Sequence, residues 1–271
     1  MFIFKGNHSM EPTISLTTDQ INFYHAKGYL ALRAITTPQE VAWMRGIYDK
    51  LFATRAGRER GDQFDLGGAD EEGKEAKLPQ ILAPVRYAPE LAEGLFRVNA
   101  LHIATQLLGA ETIAQGEHAI LKPARIGAET PWHQDEAYWA EDRDFNAISI
   151  WIPLQEATME NGCMQFIPGS HKLEVFPHHS IGHDPRVHGL EVEEADVSKA
   201  VACPIPAGGC TIHHCRTLHY AGANGSDMPR RAYILGFGTP PTKRTTPRVF
   251  QWNRIKQTAR EERARIAEAK A

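Results

Sequence analysis

The chain has 271 residues, 42% of them hydrophobic and 23% charged, with 30 basic and 33 acidic side chains and a net charge of −3. That mix fits a soluble globular protein and excludes wholesale disorder. The slightly acidic balance argues against nucleic acid or an anionic membrane as main partner, because both select basic surfaces.

No run approaches the ~20 consecutive apolar residues of a membrane-crossing helix. The opening MFIFKGNHSM lacks the apolar stretch and small-residue cleavage site of a leader, so a cytoplasmic location is expected. Met10 serves as well as Met1 for a start. Four cysteines, Cys163, Cys203, Cys210 and Cys215, form no C-x-x-C pair, so reduced thiols are expected. The spacing of Cys210 and Cys215 also disfavours zinc.

Residues 17–110 read as mainly helical. Thr17 and Gln20 have the spacing of a capping box, and Gly28 marks the end of that first helix. Thr37 as N-cap, Pro38 at the first helical position and Glu40 three residues after the cap start a second. Its Val41, Met44, Ile47, Tyr48 and Leu51 recur at helical spacing and form one apolar face. The Gly-rich, charged stretch 56–75 reads as a mobile surface loop. A third helix is expected over about 90–108, ending at Gly109.

From about 111 the texture changes to short β-like runs between turn residues: 117–122, 130–135, 147–154, 163–167, 201–205, 210–219 and 230–238. Helices followed by many short strands predict a mainly β fold with flanking helices, a barrel or jelly roll, in one domain spanning 1–271. Residues 111–240 would be its core and 241–271 a C-terminal tail, the last stretch of which, 256–271, reads as a charged, solvated helix.

Thirteen histidines direct attention to metal binding. In Trp132-His133-Gln134-Asp135, a strand would project His133 and Asp135 from one face. That is two thirds of the 2-His-1-carboxylate set that holds non-heme Fe(II) with open coordination positions. Far downstream, Thr217-Leu218-His219 ends a β-like run, and a turn-rich segment leads to Arg230-Arg231-Ala232-Tyr233-Ile234-Leu235-Gly236-Phe237. If these strands are neighbours, a third ligand and a guanidinium meet in one pocket. The planar fork of arginine suits a dicarboxylate.

These segments resemble the phytanoyl-CoA dioxygenase family of Fe(II)/2-oxoglutarate-dependent oxygenases. The resemblance is carried, in order, by Ile120-Leu121-Lys122-Pro123, Trp132-His133-Gln134-Asp135, Trp151-Ile152-Pro153-Leu154, Asn161-Gly162-Cys163-Met164, Phe166-Ile167-Pro168-Gly169-Ser170-His171, His219 and the Arg230 strand. It extends to the helices around Gly28-Tyr29-Leu30 and Pro38-Gln39-Glu40-Val41, and so covers nearly the whole chain. It implies a double-stranded β-helix (a cupin-like jelly roll), iron ligands His133, Asp135 and His219, and Arg230 gripping 2-oxoglutarate. Trp151, Gln134 and His118 are further expected co-substrate contacts.

Alternation sharpens two of these assignments. Ile148, Ile150, Ile152 and Leu154 share one face, which would pack on the helices, while Ser149 and Trp151 share the other and would line the barrel mouth. Arg230 lies with Ala232, Ile234 and Gly236, small enough for a narrow interior, whereas Arg231 lies with bulky Tyr233, Leu235 and Phe237. Arg230 is favoured as the anchor, though a one-residue register slip would exchange it for Arg231.

The resemblance further implies that 2-oxoglutarate and O2 give succinate and CO2 as an unactivated C–H bond of a small molecule is hydroxylated. Asp135 favours hydroxylation or desaturation over halogenation, because related halogenases lack the carboxylate. Other outcomes of the same core are desaturation, cyclisation and epimerisation. Outside this chemistry stand a non-catalytic ligand-binding barrel and a cupin-like zinc or manganese enzyme; the arginine on the returning strand counts against the latter. The histidine-rich segment 178–188 reads as a loop between strands, with Tyr138, Trp139 and 172–200 bordering the pocket. The substrate and the oligomeric state are not written in these motifs.

Overall fold

The computed structural model describes residues 10–270. The segment 1–9, read above for a leader, and Ala271 lie outside it. In chain order the elements are α1 (Thr18–Lys27), β1 (Tyr29–Leu32), α2 (Pro38–Ala53), β2 (Gln63–Asp65), β3 (Pro79–Leu82), α3 (Leu95–Leu108), β4 (Ile113–Lys122), β5 (Thr130–His133), β6 (Arg143–Asp144), β7 (Ala147–Pro153), β8 (Met164–Phe166), β9 (His178–Ser180), β10 (Leu190–Val192), β11 (Val201–Cys203), β12 (Cys210–His214), β13 (His219–Ala221), β14 (Arg230–Gly238), β15 (Thr242–Lys243), α4 (Gln251–Arg254) and α5 (Ala259–Glu268).

The two leading helices begin as their sequences dictate. The Thr17 side chain accepts from the Gln20 N–H while Gln20 reaches back to the Thr17 N–H, and Thr37 caps α2 through the Glu40 N–H with Pro38 behind it. Gly28 adopts φ 81° to end α1, where a β-carbon would lie 2.2 Å from the His171 ring.

A seven-stranded sheet in the order β1-β12-β7-β14-β4-β3-β2 faces a four-stranded sheet in the order β11-β8-β13-β5. The chain is thus mainly β with flanking helices, as expected: α1–α3 pack on the larger sheet, while α4 and α5 pack elsewhere, against Ala137 and Leu190 and against the segment 61–70. Alternation along β7 and β14 sorts their side chains between two cores. Ile148, Ile150, Ile152, Tyr233, Leu235 and Phe237 pack outward against the helices through Tyr24, Val41, Met44, Tyr48, Phe96 and Ile103. Trp151, Ala232 and Ile234 turn inward to meet Met164, Phe166 and Ala221 of the smaller sheet. Burying each large aliphatic side chain contributes about 1.5–3 kcal/mol, so the alternation fixes the register.

Three expectations need correction. Residues 56–75 are not a free loop. Gln63, Phe64 and Asp65 are buried in β2, and the Asp65 carboxylate accepts from the N–H groups of Gly67, Lys77 and Leu78. The run 210–219 is two strands broken at Cys215–Leu218, where the Thr217 N–H bonds the His214 carbonyl at 2.8 Å. The tail 256–271 is not simply solvated, because Arg260 Nε donates to the Gly61 carbonyl at 3.1 Å and Arg263 pairs with Asp70. The four cysteines are free and buried. No described helix is long and apolar enough to cross a membrane.

Candidate active site

β5 and β13 are antiparallel neighbours, with His133 directly opposite His219. Their rings lie 4.1 Å apart, centroid to centroid. Just after β5 the chain turns into a short 3-10 segment, Asp135–Tyr138, which brings the Asp135 carboxylate back toward the pair. Asp135 Oδ1 is 3.5 Å from His219 Nε2 and 3.8 Å from His133 Nε2. Among the described residues these three form the group of His, Cys, Asp or Glu side chains that could hold a metal ion.

The surroundings prepare each of the three. His133 Nδ1 donates to the Pro131 carbonyl at 2.7 Å and His219 Nδ1 to the Thr217 carbonyl at 2.8 Å. With Nδ1–H committed, each Nε2 presents its lone pair to the centre. Burial lowers the pKa of both imidazoles, His219 well below its ordinary value. Burial alone would raise Asp135, but the neighbouring histidines, His219 first and then His213 and His133, hold it well below the usual carboxylate range. Neutral imidazoles and an ionised carboxylate are the forms that bind a divalent cation.

The triad opens into a cavity of about 520 Å³ between the sheets. Arg230 lines it, on β14 opposite Lys122 of β4, with 1% of its surface exposed. Its guanidinium carbon stands 5.3 Å from the centre of the Trp151 ring, and Nε and Nη1 have no hydrogen-bond partner. Burial brings Arg230 down to about 10, so it remains charged at neutral pH. A buried, unpartnered guanidinium is costly by several kcal/mol, and an anion in the cavity would remove that cost. The donor set and the orphaned fork therefore fit a metal ion with a carboxylate-bearing co-substrate.

Arg231 points out of the barrel to Asp49 of α2, with Nε 2.5 Å from Oδ1. Trp151, Ser149 and His118 all line the cavity. His118 sits across from Leu82 and Ile234, and burial lowers it to about 4, leaving a neutral imidazole. Gln134 does not face the cavity. Alternation turns it to the opposite side, where its amide nitrogen donates to the Arg216 carbonyl at 2.8 Å and its oxygen accepts from the Phe176 N–H at 2.8 Å. It is a brace holding β5 to the following loops.

Two side chains acquire a definite place through the fold. His213, near the ligand strand in sequence, brings Nε2 to 3.3 Å from Asp135 Oδ2. Lys122 is fully buried, and its ammonium donates to the Ala221 and Gly222 carbonyls at 2.7 and 2.6 Å, tying β4 to the end of β13. Neither role has a local sequence signal, because each partner lies tens of residues away.

The segment 178–188 is more ordered than a connecting loop. β9 pairs with β10, His178 is buried, and its Nε2 accepts from the Gln134 N–H at 3.2 Å.

The fold and sequence are similar to those of known proteins. Solved structures of EvdO2 from Micromonospora carbonacea var. aurantiaca, one of them complexed with 2-oxoglutarate, are similar to this chain. One is 41% identical with a TM-score of 0.78, covering 90% of this chain and 99% of that one; the complex is 37% identical with a TM-score of 0.77. The carbocyclase SnoK from nogalamycin biosynthesis shares the fold at 24% identity and a TM-score of 0.69, covering 89% and 91% of the two chains. A phytanoyl-CoA dioxygenase of Arabidopsis thaliana is 25% identical over 252 residues, 82% of this chain and 89% of that protein. The family model for phytanoyl-CoA dioxygenase matches residues 24–232, which contain the triad, Trp151 and Arg230. The chain belongs to the phytanoyl-CoA dioxygenase family.

Proposed function

We propose that the protein is a non-heme Fe(II)- and 2-oxoglutarate-dependent dioxygenase that hydroxylates an unactivated C–H bond of a small-molecule substrate, as one oxygenase domain. His133, Asp135 and His219 would hold the metal, and Arg230 would pair with the distal carboxylate of 2-oxoglutarate beside Trp151. Iron and 2-oxoglutarate supply the O2 activation and C–H chemistry. The chain supplies three ligands in binding-ready protonation states, a fixed cation for the co-substrate, and a cavity whose exposed surface is mostly apolar, which limits water.

One observation carries the reading: a His-Asp-His group with buried imidazoles and a half-buried carboxylate opens into the same cavity as a buried arginine with unpartnered nitrogens. A metal enzyme without a co-substrate does not need that guanidinium, and a plain binding barrel needs no ligand triad. Turnover with Fe(II), ascorbate and 2-oxoglutarate is expected to release succinate, accelerated by substrate and abolished in His219→Ala. Oxygen from 18O2 entering the product is expected for hydroxylation. A product two mass units lighter than the substrate, with no label, would overturn hydroxylation in favour of desaturation or ring closure.

A further inference from the structure

The inner cavity offers Arg230 as its cation, and on the reading above 2-oxoglutarate occupies it. At the outer end, Tyr138, Trp139 and His188 belong both to this cavity and to an adjoining cleft. The far side of the cleft is built by the C-terminal segment, which supplies Lys256 and Arg260. Both residues lie beyond residue 232, where the family match ends.

The charges in the cleft are unequally satisfied. Glu141 accepts from the Phe250 N–H at 2.6 Å and pairs with Arg254 at 2.7 Å. Asp142 lies 3.9 Å from Arg143 Nε, and Glu261 accepts from the Thr258 hydroxyl at 2.8 Å as part of a capping box. Among the described residues neither Lys256 nor Arg260 makes an ion pair. Instead each stands over an aromatic ring: Lys256 Nζ is 4.6 Å from the centre of Tyr138, and the Arg260 guanidinium carbon 5.0 Å from that of Phe64. His188 joins those rings, stacked on Tyr138 at 5.7 Å and edge-on to Phe64 at 5.0 Å. Two cations are thus fixed at the two ends of one aromatic wall by flat surfaces that leave their hydrogen-bond donors largely unspent.

We propose that Lys256 and Arg260 form an oxyanion subsite at the mouth, and that the substrate carries a carboxylate or phosphate held there while its body reaches past Tyr138 and Trp139 toward the metal centre. The proposal rests on the oxygenase reading and names the substrate class for the same site. Burial lowers Lys256 to about 8, so an arriving anion would also favour its charged form.

The test uses the full chain with Fe(II) and 2-oxoglutarate under anaerobic conditions, so that Arg230 is occupied. Phenylacetate, phenyl phosphate and neutral phenylacetamide are titrated calorimetrically. At least one anionic probe is expected to bind roughly tenfold or more tightly than the amide, the phosphate-to-carboxylate ratio showing which oxyanion fits. The preference should vanish both in Lys256→Gln/Arg260→Gln and in Lys256→Glu, where the new carboxylate offsets Arg260, and persist in Arg254→Gln. Equal affinity for all three probes, or a preference that survives the double substitution, overturns the subsite. The metal-to-ligand charge-transfer absorption of the same samples separates the two ideas. Absorption without anion preference defeats the subsite alone, whereas no absorption defeats the oxygenase reading beneath it.

Discussion

Ser149 Oγ donates to Asp135 Oδ2 at 2.7 Å, on the side of the carboxylate away from the histidine pair. His213 approaches the same oxygen, while Oδ1 is the atom nearest the Nε2 atoms of His133 and His219. One carboxylate oxygen is therefore held by the protein and the other is aimed at the metal position. Partners of this kind are worth about 10–100-fold in metal affinity. Ser149→Ala and His213→Leu are each expected to raise the Fe(II) half-saturation concentration by about tenfold or more, with the circular dichroism spectrum unchanged. Unchanged iron affinity in both would contradict the role.

The two adjacent arginines should separate cleanly. Arg230→Ala removes the cavity cation and is expected to raise the KM for 2-oxoglutarate by about 100-fold, the scale of charge-assisted hydrogen bonds, while Fe(II) affinity stays near wild type. Arg231→Ala breaks a pair with Asp49, whose side chain is 55% exposed, and should cost at most about 1 kcal/mol with no change in KM. Steady-state kinetics on both variants checks this. An equal effect on KM would mean that the strand register does not choose between them.

Acid should destabilise the protein earlier than carboxylate titration alone would. His178 and His214 are buried and lowered to about 3, by desolvation first. Each also accepts an N–H, from Gln134 and Arg216 respectively, which requires an unprotonated nitrogen. The unfolded chain takes up these protons near pH 6.5 and the folded chain does not, so stability falls as pH drops below about 6.5. The loss approaches about 1.4 kcal/mol per pH unit for each histidine and continues toward pH 3. Thermal melts at pH 7.5, 6.5 and 5.5 should show little change over the first interval and a clear drop over the second. A flat profile would contradict it.

What could be read from the sequence follows from how local each signal is. Caps and alternation are local, so α1, α2, β7 and β14 emerge where the residues place them, and the inward face of Arg230 follows from its small neighbours Ala232 and Gly236. The assignments that failed depend on distant partners. Nothing near Asp65 announces that Lys77 and Leu78 will cap its carboxylate, so a Gly-rich, charged segment reads as loose. The break at Cys215–Leu218 is sealed by the Thr217 hydroxyl donating to the Gly28 carbonyl, a contact with α1's far end. Gln134 is the exception: the motif suggests a co-substrate contact, but the local alternation that pairs His133 with Asp135 already places it on the opposite face, behind them. The pairing of Lys256 with Tyr138 has no signature at all in a charged tail.

The most direct test is an anaerobic titration of metal-free protein with Fe(II) and then 2-oxoglutarate, followed in the visible spectrum. The expected result is a weak metal-to-ligand charge-transfer band that saturates with 2-oxoglutarate, disappears in His219→Ala, and requires far more 2-oxoglutarate in Arg230→Ala. Absence of the band in the wild-type protein with both components bound would contradict the assignment of His133, Asp135, His219 and Arg230 to one iron and co-substrate site.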